Sequence, residues 1–160
     1  DVLGFQAIFV QVGRRFCRAV IGGQDDQRAI EPDLLVNETE ELFFQLEGDI
    51  VVGIQEEGKA VDIEIKEGEM FLLPANVPHQ PRRGENTVGL VIECKRADRD
   101  MLDGLQWYCE KCNNLLHEYR FVLHNIETDF LPRFREFYGN EDYRTCKKCG
   151  DCMAVDPRFG

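Results

Sequence analysis

Leu42-Phe43-Phe44-Gln45-Leu46-Glu47-Gly48-Asp49-Ile50-Val51-Val52-Gly53-Ile54 reads as two short apolar runs joined by a Glu-Gly-Asp turn. The same grammar continues downstream. Glu56-Glu57-Gly58-Lys59 precedes Val61-Asp62-Ile63-Glu64-Ile65, Lys66-Glu67-Gly68-Glu69 precedes Met70-Phe71-Leu72-Leu73, and Thr87-Val88-Gly89-Leu90-Val91-Ile92-Glu93 closes the series. Val61, Ile63 and Ile65 alternate with polar residues, the period of a half-buried strand. Short runs ended by glycine turns at intervals of about 8–12 residues predict antiparallel strands closing into a sandwich or barrel.

Upstream, Phe5–Val12 and Phe16–Ile21 read as two more strands, and the polar stretch from Gly22 to Pro32 as a loop. Beyond Cys94 the character changes. The charged stretch from Lys95 to Asp103 reads as a linker. Thr128 offers an N-cap with Asp129 in the first turn, Phe130, Phe134 and Phe137 follow at helical spacing, and Gly139 ends the run, so a helix is predicted over 128–138 with its phenylalanines in a core. The expected organisation is a β-barrel over residues 1–94 and a small, partly helical extension over 95–160.

The chain has 160 residues, enough for one domain with a buried core and no need of disulfides. Its 30 acidic and 19 basic side chains leave a formal charge of −11, which argues against nucleic acid, since phosphate binding needs clustered Lys and Arg. No run approaches the ~20 apolar residues of a membrane helix. Nor is a charged, then apolar, then small-residue leader visible, so a cytoplasmic location is expected.

Seven cysteines, an odd number, make a poor disulfide framework. Four of them form two C-x-x-C pairs, Cys109/Cys112 and Cys146/Cys149, separated by a long excursion. Two such knuckles can close a four-sulfur site of the zinc-ribbon or rubredoxin kind, holding zinc or iron. Reducible surface disulfides are the alternative, and Cys152 could replace one ligand. Cys17 and Cys94 sit in apolar runs and read as small core residues.

Two further segments carry different chemistry. Asn37-Glu38-Thr39-Glu40-Glu41 places carboxylates just before a strand. Leu73-Pro74-Ala75-Asn76-Val77-Pro78-His79-Gln80-Pro81 aims one histidine from a proline-flanked turn. Taken alone, Glu41 would be an acidic edge, His79 a loop histidine and Arg82-Arg83 a surface pair. Glu93 stands out in its apolar strand, because a buried carboxylate needs a partner. His117 and His124 read as surface residues.

The pairing resembles the two signature motifs of the cupin barrel. Glu40–Asp49, Leu72–His79, Asn86–Glu93 and Leu102-Asp103-Gly104-Leu105-Gln106-Trp107-Tyr108-Cys109 together resemble the 3-hydroxyanthranilate 3,4-dioxygenase family, over about residues 20 to 152. The two-knuckle C-terminus is similar to that of its bacterial and fungal members. The resemblance implies a jelly-roll cupin barrel, a homodimer, and an Fe(II)-dependent extradiol dioxygenase that cleaves 3-hydroxyanthranilate with O2. The product leads to quinolinate for NAD synthesis in the kynurenine pathway. Carried over by position, Glu41 and His79 match iron ligands, Arg83 the group that grips the substrate carboxylate, and Glu93 the carboxylate facing the substrate's amino and hydroxyl side. Cys109, Cys112, Cys146 and Cys149 match a separate rubredoxin-like site.

The family pattern departs in one place. Before the first motif the family carries Gly-Gly-Pro-Asn-x-Arg-x-Asp-Tyr-His, whose His is an iron ligand and whose Arg contacts substrate. Counting back from Glu41, the His position holds Leu35 and the Arg position Glu31, in a stretch about four residues longer. Arg28 is the candidate replacement for the arginine, and Asp33 or Glu38 could supply an oxygen donor. Three readings follow: a working dioxygenase, a family member that keeps the fold without catalysis, and a local alteration of an otherwise ordinary enzyme sequence.

Overall fold

Alternating side chains around glycine turns produce a chain built mostly of antiparallel strands. The computed structural model describes residues 6–12, 15–22, 33–94 and 100–159, with side chains described over 33–94, 100–125 and 128–159. In chain order the elements are β1 (Gln6–Val12), β2 (Arg15–Gly22), β3 (Asp33–Val36), β4 (Glu41–Glu47), β5 (Ile50–Glu56), β6 (Lys59–Ile65), β7 (Met70–Leu73), β8 (His79–Arg83), β9 (Val88–Cys94), β10 (Leu102–Tyr108), β11 (Leu115–Val122), α1 (Ile126–Gly139) and α2 (Glu141–Arg144). The expected loop from Gly22 to Pro32 lies outside the described residues beyond Gly22, as do Arg28 and Glu31.

The described strands form two sheets, one in the order β1-β2-β9-β4-β7 and one in the order β11-β10-β3-β8-β5-β6. The turn between β4 and β5 needs Gly48, whose φ of +64° an L side chain rarely adopts; a Cβ there would also sit 3.0 Å from Thr87 Cγ2. Phe43, Ile50, Val52, Ile54, Ile65 and Leu73 form the core between the sheets.

Register across the six-stranded sheet aligns Tyr119, Leu105, Leu35, His79, Ile54 and Val61 in one row. Directly opposed residues project to one face. At the β5 and β6 end that face packs into the intersheet core. At the β10 and β11 end it packs against a second cluster of Leu105, Trp107, Phe121, Phe137, Tyr138 and Met153, to which Leu35 is partly attached. The Trp107 and Phe137 rings stack at 4.3 Å.

Four strands were not anticipated. β8 is polar and contains Pro81, which has no N–H to give; the β3 ladder with β8 is confined to Leu35 and His79, so Pro81 pairs with β5 alone. β3 is only four residues long. The expected linker over 95–103 ends in β10, where Asp103 is buried. In β11, His117, Tyr119 and Phe121 alternate with Glu118 and Arg120, a period-two signal. β10 pairs with β3, so the six-stranded sheet continues across the division expected at 94/95.

The helix begins two residues earlier than predicted. Asn125 Oδ1 accepts from the Thr128 amide, and Asp129 Oδ2 accepts from the amides of His124 and Asn125, so Asn125 rather than Thr128 caps α1. Phe137 is fully buried, and Phe130 and Phe134 pack on the same cluster, as expected. Among the described residues no helix is long and apolar enough to cross a membrane. Asn125→Ala should lower stability by about 1 kcal/mol in urea denaturation, whereas Thr128→Ala should change it by less than about 0.5 kcal/mol; the reverse order would return the cap to Thr128.

Candidate active site and four-cysteine cluster

β4 and β8 face each other across the gap between the sheets. Along β4, Glu41, Phe43 and Gln45 point inward and are buried. His79 on β8 meets Glu41, Nε2 to Oε2 at 3.1 Å, with both side chains almost wholly buried. Four residues further on each strand, Arg83 Nη1 donates to Gln45 Oε1 at 3.0 Å. The barrel therefore carries two polar rungs, with the Phe43 ring set edge-on to His79.

The hydrogen bonds fix the chemistry of the first rung. Val77 O, which can only accept, lies 3.1 Å from His79 Nδ1, so Nδ1 carries a hydrogen. Nε2 of the neutral ring then presents a lone pair to a carboxylate oxygen. Two buried lone pairs at that distance require a proton or a cation to be shared between them. A histidine whose second nitrogen is held by a backbone carbonyl is also the usual arrangement of a metal ligand. Asn37 Nδ2 donates to Glu41 Oε1 and orients the carboxylate. Glu93, also buried, stands opposite Glu41 in the pairing of β4 with β9, so the two carboxylates share a face.

The donor set fits a metal only in part. Leu35 and Ile54 flank His79 in register on the same face, and neither has a ligand atom. Neither suggested oxygen donor completes the set: Asp33 Oδ1 accepts from Tyr138 Oη at 2.8 Å on the α1 side, and Glu38 is exposed. Arg28 lies outside the described residues. His124 is exposed. His117, expected at the surface, instead stacks on Tyr143 at 4.0 Å within the second cluster, because alternation in β11 turns it toward the helices. Burial pushes the Arg83 guanidinium below its ordinary value.

The four cysteines do converge. The Sγ atoms of Cys109, Cys112, Cys146 and Cys149 all lie within 4.8 Å of one another, the one such grouping among the described residues. The knuckles repeat one backbone pattern. The Asn113 and Gly150 amides donate to Cys109 O and Cys146 O, while Cys109 N and Cys146 N donate to Asn114 O and Asp151 O. Each knuckle turns through a positive φ, +53° at Asn113 and +77° at Gly150. The amides of Cys149 and Lys148 pull the Cys146 thiol down to about 6, while burial pushes the Cys109 and Cys112 thiols up. Cys152 stands outside the cluster, 3.6 Å from Arg144 Nη1. Cys94 is half-buried, and the Cys17 side chain lies outside the described residues.

Sequence reasoning missed Asn37, Gln45 and the Val77 carbonyl. Only Gln45 left a signal, an amide at an inward-facing position of an apolar strand, which must find partners once buried.

Residues 12–138 match the sequence model of the family described as 3-hydroxyanthranilic acid dioxygenase. A protein named 3-hydroxyanthranilate 3,4-dioxygenase from Xanthomonas euvesicatoria pv. vesicatoria is 46% identical over 90% of this chain and 79% of its own. One of that name from Neurospora crassa is 39% identical over 91% and 78%, and the human one is 42% identical over 87% of this chain and 47% of its own. Among solved structures, the chain is similar to a cupin-2 domain containing protein from Shewanella frigidimarina, 20% identical, with a TM-score of 0.41 over 57% of this chain and 80% of that one. The chain belongs to the 3-hydroxyanthranilic acid dioxygenase family.

Proposed function

We propose that this chain binds 3-hydroxyanthranilate inside the barrel and cleaves its ring with O2, using Fe(II) held by Glu41 and His79. The reading rests on the buried 3.1 Å approach of His79 Nε2 to Glu41 Oε2, with the other histidine nitrogen committed to a carbonyl. Fe(II), when bound, supplies neighbouring coordination positions for substrate and O2. Arg83 presents its guanidinium to the substrate carboxylate, a planar donor for a planar acceptor. Glu93, beside Glu41, faces the amino and hydroxyl side and takes up a proton there. The product leads to quinolinate and so to NAD. The four thiolates hold a second iron or a zinc in a structural role.

One observation favours a second reading, a family member without turnover. Leu35, which has no ligand atom, stands opposite His79 at the position the family motif gives to a histidine, so among the described residues that position supplies no donor. Metal analysis and turnover separate the readings. A working enzyme should hold about two metal ions per chain, one released by chelators and one by thiol-reactive reagents. Adding 3-hydroxyanthranilate and Fe(II) anaerobically, then O2, should give the ring-opened chromophore, and His79→Ala or Glu41→Gln should cut the rate by more than about 100-fold. No chromophore at any iron concentration, with only the thiol-held metal present, would establish the second reading.

Under either reading Leu35→His should raise iron affinity by about tenfold or more in an anaerobic titration. Unchanged affinity would show that position 35 does not address the Glu41–His79 pair.

We also propose a cytoplasmic homodimer. The dimer is favoured by the exposed apolar side chains of Leu46, Met70 and Leu72 at the β4 and β7 margin of the five-stranded sheet. Sedimentation should give a dimer; a monomer at micromolar concentration counts against it.

A further inference from the structure

We infer that Gln45 is a positioning residue for substrate recognition: it fixes the direction of the Arg83 guanidinium, with Gly89 as the floor on which that group lies. The inference rests on the reading of Arg83 as the carboxylate anchor and adds to it the device that aims the anchor.

Gln45 is 1% exposed, so both ends of its amide must be satisfied within the protein. Its Nε2 donates to Glu47 O at 3.0 Å, and its Oε1 accepts from Arg83 Nη1 at 3.0 Å. The Glu47 carbonyl can only accept and the guanidinium can only donate, so just one orientation of the amide satisfies both. The backbone around it is equally constrained. Gln45 N donates to Glu69 O at 3.0 Å, and its carbonyl accepts from the Gly68 amide at 2.8 Å. The ladder of β4 with β9 shifts register between Gln45 and Glu47, the kind of irregularity that re-aims a side chain.

Gly89, opposite Gln45 on β9, completes the cradle. A Cβ at that position would overlap Arg83 Nη1 and Gln45 Oε1 and lie 2.7 Å from Arg83 Nη2. No side chain larger than hydrogen leaves room for the guanidinium as it sits. Gln45 occupies one of the five N–H groups of Arg83, so most of the donor fork stays available to a planar anion. Glu41 and Gln45 lie four positions apart on β4, about 13 Å, and the buried Phe43 stands between them on the same face.

Anaerobic equilibrium binding to the full chain, followed by ligand fluorescence, tests this with two probes: 3-hydroxyanthranilate, and 2-aminophenol, the same ring without the carboxylate. Gln45→Met, of similar shape but without a hydrogen-bonding amide, should weaken 3-hydroxyanthranilate by about tenfold and leave 2-aminophenol unchanged. Gly89→Ala should do the same by displacing the guanidinium. Gln45→Glu keeps the fold-bearing contacts of the side-chain stem but pairs with Arg83, and should also lower the preference for the carboxylate. In an Arg83→Leu background, Gln45→Met should have no further effect. Equal weakening of both probes, or additive losses in the double variant, would overturn the inference and leave Gln45 a core residue only. If Arg83→Leu itself leaves the preference unchanged, the reading of Arg83 as anchor fails, and the inference fails with it.

Discussion

The polar interior depends on one constraint, the facing of β8 against β4 across the two sheets. His79 and Arg83 are four residues apart on one strand, Glu41 and Gln45 four apart on the other, and the strands run so that each meets its counterpart. The period of two puts both members of each strand on the inner face. A slip of one residue would turn a strand's inner pair outward, bringing in Gln80 and Gly84 for His79 and Arg83, or Leu42 and Leu46 for Glu41 and Gln45. The register is held from outside the site: β8 by Ile54 in β5 and Leu35 in β3, β4 by β7 and β9. Packing therefore determines which charges can meet.

Much of this was legible in the sequence, and the gaps have physical causes. Strands β4 to β7 and β9 announce themselves because apolar runs and glycine turns are local signals. β8 and β3 do not, because a strand of His, Gln, Pro and two Arg, or of four residues, is selected by its neighbours rather than by its composition. The position of Leu35 beside His79 follows from counting along the family motif, and the β3–β8 pairing agrees with that count. Asn37 and Gln45 went unnoticed because a side chain that orients another has no motif of its own. The cap at Asn125 was missed because Thr128 and Asp129 offer an equally good local pattern one turn later, and only the hydrogen bonds choose between them.

The cysteine cluster and the barrel are also tied by side chains. Gln55 and Asn113 exchange two amide hydrogen bonds, at 2.9 and 2.7 Å, and Asn113 Nδ2 also reaches Gly58 O. Asn113 directly follows Cys112, and the Gln55 backbone N–H donates to Pro78 O, next to His79. The first knuckle is thus pinned to the hairpin of β5 and β6, and a hydrogen-bonded path runs from a cluster cysteine to the neighbour of the barrel histidine.

β10 gives the C-terminal third of the chain a meaning its composition hides. It completes the sheet beside β3, while Trp107 and Leu105 seat α1 over the face that the five-stranded sheet does not cover. Without β10, β3 would become a bare edge next to the barrel histidine, open to pairing with any extended chain. Residues after 100 are therefore a wall of the barrel, and cutting the chain at 94/95 would open the side on which the barrel histidine sits.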